Sequence, residues 1–114
     1  MSERTVRERI ADIHAAQLRG GQTPMQAAEW LNTLGALTGN VLQEIREAEA
    51  EYTVVYSGFL DTEQKANRAK IRAEMTPQYQ RLREARDTFK LVEIMIGTLK
   101  YLLREYEADA KATR

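Results

Sequence analysis

Ala27, Leu31, Leu34, Thr38, Val41, Ile45, Ala48, Tyr52, Val55 and Phe59 advance in alternating steps of four and three without a slip. Leu82, Ala85, Phe89, Val92, Ile96, Leu99, Leu103, Tyr106 and Ala110 do the same. A repeat averaging ~3.5 residues keeps one apolar stripe on one side of a helix over its whole length, the pattern of a coiled-coil seam. At ~1.5 Å per residue each segment predicts a helix of about 50 Å, far longer than the ~11 residues typical of globular helices. Each seam must be covered by a partner.

Breakers are few and fall between these segments, at Gly20-Gly21 and from Gly58 to Asp61. Thr5 with Glu8, Thr23 with Gln26, and Asp61 with Gln64 have capping-box spacing, in which side chains satisfy the orphaned N–H groups of a first turn. Pro24 and Pro77 each follow a threonine, at the first helical position, where a missing N–H costs nothing. Four helices are predicted, over about 4–19, 24–57, 62–75 and 77–111, in a single helical domain over 1–114. The β-prone run Tyr52 to Tyr56 is in helical phase with what precedes it. Gly35 and Gly39 lie inside the second helix, where they are expected to mark a kink or a close helix crossing.

Composition removes most chemistry. The chain has 114 residues, 17 Lys+Arg against 17 Asp+Glu, one histidine and no cysteine. Neutrality gives no global attraction to nucleic acid or acidic membranes. Thiol nucleophiles, disulfides and thiolate metal sites are excluded, and His14 alone supplies neither a catalytic nor a metal cluster. No cofactor is expected. No apolar run approaches the ~20 residues of a membrane span, and the start MSERTVRER lacks a signal-peptide core, so a cytoplasmic protein is expected.

Charge is segregated instead. Residues 41–63 hold six acids and one base, whereas 64–90 hold eight bases and three acids. An antiparallel pairing lays Glu44, Glu47, Glu49 and Glu51 beside Arg81, Arg83 and Arg86. The expected fold is all-α, a long antiparallel coiled-coil-like hairpin with two shorter helices, closing as a bundle within the chain or as a dimer.

Three groups of residues are candidates for function. Glu44-x-x-Glu47 and Glu84-x-x-Asp87 resemble the paired acidic motifs of all-α nucleotide pyrophosphohydrolases, which hold Mg²⁺ between facing helices. Here the pairs are 36 residues apart and lie off the seams, so they read as solvated faces and the chain as noncatalytic. Lys65, Arg68 and Arg72 share one helical face and, with Arg81, Arg83 and Arg86, form the candidate nucleic-acid contact. No aromatic residue lies between 60 and 78 to stack on bases, and the adjacent acidic block competes for these cations.

The third is LVEIMIGTLKYLL, residues 91–103, which is apolar nearly all round. Either the first and third helices cover its back, through Val6, Ile10 and Ile13 or through Ile71 and Met75, or a second chain does. Leu91, Ile94, Met95, Tyr101 and Leu102 are the interface candidates, and Trp30 is a core or interface anchor.

From Trp30 onward, LNTLGALTGNVLQEIREAEAEY, EQKANRAKIRAEMTPQYQRLREA and LVEIMIGTLKYLLREYE resemble small helical proteins encoded by tailed bacteriophages. About two thirds of the chain is covered; the first 25 residues have no counterpart. The resemblance implies a phage accessory protein in the host cytoplasm, alongside replication or recombination proteins. The expected function is noncatalytic binding, to itself or to a host or phage protein, through long amphipathic helices. The alternative is a nucleic-acid-associated accessory factor that uses the 65–90 basic stretch.

Overall fold

The computed structural model describes residues 5–112, in four helices: α1 (Val6–Arg19), α2 (Pro24–Thr62), α3 (Ala66–Glu74) and α4 (Pro77–Ala112). No strand occurs among the described residues. The threonine caps form as the spacing predicts. The Thr5 hydroxyl accepts from the Glu8 N–H at 3.1 Å, while the Glu8 carboxylate accepts from the Thr5 N–H at 3.3 Å. Thr23 accepts from the Gln26 N–H at 3.1 Å, and Thr76 from the Tyr79 N–H at 3.3 Å. Pro24 and Pro77 open α2 and α4.

The Asp61 cap does not form. α2 continues through Gly58 to Thr62, with the Glu63 N–H still reaching the Phe59 carbonyl at 2.9 Å. A mid-helix glycine costs only about 1 kcal/mol, and one alone does not end a long helix. α3 therefore starts at Ala66 rather than 62, with Lys65 at its N-cap and no side-chain cap.

The chain divides into two units. One holds the chain up to Asn40 and from Lys90 onward; the other is Val41–Phe89. In the first, α1 joins the N-terminal part of α2 and the C-terminal part of α4 around Ile10, Ala27, Leu34, Leu37, Val92, Met95 and Leu99. Gly20 and Gly21, at φ 77° and 76°, turn the chain out of α1. The Gln22 amide then donates to the Ala16 and Gln17 carbonyls at 3.0 and 3.2 Å, satisfying groups that the helix end leaves open. The Tyr106 hydroxyl of α4 donates to the Gln22 carbonyl.

The second unit packs α3 with the remaining parts of α2 and α4 around Val41, Ala48, Ala69, Ala73, Leu82 and Ala85. Most of this core is alanine, which contributes little apolar area per residue. Half-buried aromatic rings add to it, with Tyr52 centred 5.3 Å from Tyr79 and 6.0 Å from Tyr56. The seam positions of α2 and α4 are buried or half-buried apart from Ala110. Gly35 and Gly39 mark no close crossing: a Cβ at either would meet nothing within 4 Å.

Candidate functional site

In the Val41–Phe89 unit the acidic and basic blocks meet unequally. Glu44, Glu47 and Glu51, spaced three and four apart, lie along one side of α2, and Arg81 binds all three. Its Nε donates to Glu44 at 2.6 Å and its Nη2 approaches Glu47 at 3.4 Å, while Nη1 donates to Glu51. Hydrogen bonds to Glu44 and then Glu51 hold the Arg81 proton more tightly than usual. Arg86 pairs with Glu49 at 3.1 Å. Arg72 pairs with Glu63 and lies 5.2 Å from the centre of the Phe59 ring.

Three bases thus take five of the six acids in the 41–63 block. The blocks carry similar numbers of charges, but a guanidinium with five N–H donors can satisfy several carboxylates at once. Bases are therefore left over. Among the described residues no ion pair forms at Lys65, Arg68, Lys70 or Arg83, and all four are exposed.

Of the sequence-predicted nucleic-acid contacts, Arg72, Arg81 and Arg86 are held by carboxylates of their own chain, whereas Lys65, Arg68 and Arg83 face solvent. The paired-acid motif is dispersed in the same way. Glu44 and Glu47 are bound by Arg81, and Glu84 accepts from the Gln80 amide at 3.2 Å. No group of three or more His, Asp or Glu side chains converges as metal ligands among the described residues.

The interface candidates also separate. Met95 is 1% exposed and belongs to the core, which corrects its placement on an outer face. The reason is α1: Ile10 enters the same core, and Val6 and Ile13 are half-buried. Trp30, Leu91 and Leu102 are half-buried too, leaving Ile94 and Tyr101, 66% and 64% exposed, as the open apolar positions of that set. α3 does not provide the cover expected from Ile71 and Met75, which are 52% and 80% exposed. Its buried side is Ala69 and Ala73. That signal was present in the sequence, since two alanines four apart mark a face that can approach another helix closely and place Ile71 and Met75 on the opposite side.

A shallow depression of about 480 Å³ along α2 is lined by Ala28, Leu31, Asn32, Gly35 and Ala36. All five come from one helix, so no second element brings polar groups to it. No helix among the described residues is long and apolar enough to cross a membrane. Comparison with protein-family models, characterised proteins and solved structures finds no match to this chain.

Proposed function

We propose that this chain is a noncatalytic interaction factor that works by presenting helix faces to another protein. The observation that carries the reading is the fate of its polar groups. Glu44 and Glu47, the first half of the motif that resembles a metal site, are bound to Arg81, while exposed apolar side chains remain at Ile71, Met75, Ile94 and Tyr101. Such residues suit partner recognition by amphipathic helices. Pairing of the α2 and α4 seams as an antiparallel coiled coil, closed as a bundle or by a second copy, is part of the same proposal. The resemblance to small phage proteins supports an accessory role in host cytoplasm.

A second reading, contact with nucleic acid, is favoured by the exposed Lys65, Arg68 and Arg83, which form no ion pair among the described residues. A bacterial lysate passed over the immobilised chain, with and without nuclease and at low and raised salt, separates the two. A discrete protein held at raised salt, and lost from an Ile94→Glu/Tyr101→Glu or Ile71→Ser/Met75→Ser variant, supports the first. Retention of nucleic acid alone, released by salt, supports the second.

A further inference from the structure

We propose that the outward face of α3, formed by Arg68, Ile71 and Met75 with Lys65 and Lys70 beside them, docks an acidic amphipathic helix of another protein. This rests on the interaction reading above and names its surface and partner. Arg68 and Ile71 lie three apart in α3 and Met75, its C-cap residue, follows four later, so the three share one side of the helix and its end. Ala69 and Ala73 are fully buried, which directs that side away from the unit's core. The result is two apolar side chains in helix-recognition register, in reach of cations that have no ion-pair partner among the described residues. Glu74, the one acid in α3, is exposed, and it adds to the raised pKa of Tyr52 of α2.

Charge complementarity selects the occupant. The 41–63 acidic block of a second copy is a poor match, because five of its six acids are already held by Arg72, Arg81 and Arg86. Nucleic acid would use the cations but leave Ile71 and Met75 in water, and α3 has no aromatic side chain to stack on bases. A lipid surface needs a broader apolar face than these two residues provide. A helix with an apolar stripe flanked by Glu or Asp uses both the apolar pair and the cations.

The test uses fluorescence anisotropy on the full chain. The probe is a synthetic helical peptide with leucines on one side and glutamates along both flanks. Controls are a scrambled peptide of the same composition and a DNA duplex. The intact peptide should bind more tightly than either control, and the Ile71→Ser/Met75→Ser and Arg68→Glu/Lys70→Glu variants should each weaken it by about tenfold or more. All four positions are exposed, so circular dichroism should stay unchanged. No peptide binding, equal binding of the scrambled peptide, tighter binding of DNA, or indifference to either double variant would overturn the proposal. If it fails while the lysate experiment still yields a protein sensitive to Ile94→Glu/Tyr101→Glu, only the α3 face is lost and the broader reading stands.

Discussion

Arg81 of α4 grips Glu44 of α2 through Nε at 2.6 Å, and its remaining guanidinium nitrogens reach on to Glu47 and Glu51. One cation thereby ties down three carboxylates that would otherwise repel one another along a helix face. Arg81→Ala should lower the urea midpoint more than Arg86→Ala, which removes a single exposed pair worth about 1 kcal/mol or less. Arg83→Ala should have no measurable effect. Equal midpoints for all three variants would show that the network contributes nothing.

The buried position of Met95 makes a different prediction from an outer-face position. Met95→Ala should destabilise the chain by about 2–5 kcal/mol, as expected for truncation in a packed core, without changing its sedimentation. Ile94→Glu and Tyr101→Glu should stay within about 0.5 kcal/mol of wild type. Chemical denaturation with sedimentation velocity checks both. A Met95→Ala chain that keeps its stability but changes oligomeric state would contradict the core placement.

Gly35 and Gly39 are helical and open to solvent, and neither has positive φ. Replacing either with alanine should stabilise the chain by about 0.5–1 kcal/mol through helix propensity and a less flexible unfolded state. A loss of stability in denaturant titrations would mean that these positions require glycine after all.

Tyr52 gives the second unit an alkaline sensitivity. Burial raises its pKa above the ordinary 10.0, with the Glu74 carboxylate and the Tyr79 and Tyr56 phenols adding to the shift and Arg86 opposing it. The folded chain therefore keeps a proton that the unfolded chain releases, and stability falls as pH rises through about 10. Tyr52→Phe should remove part of that fall in urea midpoints compared between about pH 8 and about pH 10.5. An identical fall in the variant would contradict this origin.

The helices were legible because their signals are local. The Thr5, Thr23 and Thr76 caps and the α2 and α4 seams each depend on residues within a turn or two of one another. Asp61 misled for the same reason: its spacing to Gln64 suits a cap, but a competing helix already running through Gly58 kept it. The ion pairs were legible only as blocks. Which base takes which acid depends on side-chain reach across two helices, and charge counts cannot show one arginine holding three carboxylates. Nor could residues 91–103, apolar nearly all round, reveal which side α1 would cover.

Photo-crosslinking in living cells tests the central claim most directly, with a benzophenone side chain replacing Ile71 on α3. The expected product is a discrete protein adduct whose crosslinked segment is an acidic amphipathic helix, and its yield should fall when Arg68 and Lys70 are changed to glutamate. An adduct to nucleic acid, or no adduct at this position, would contradict the claim that α3 faces a protein partner.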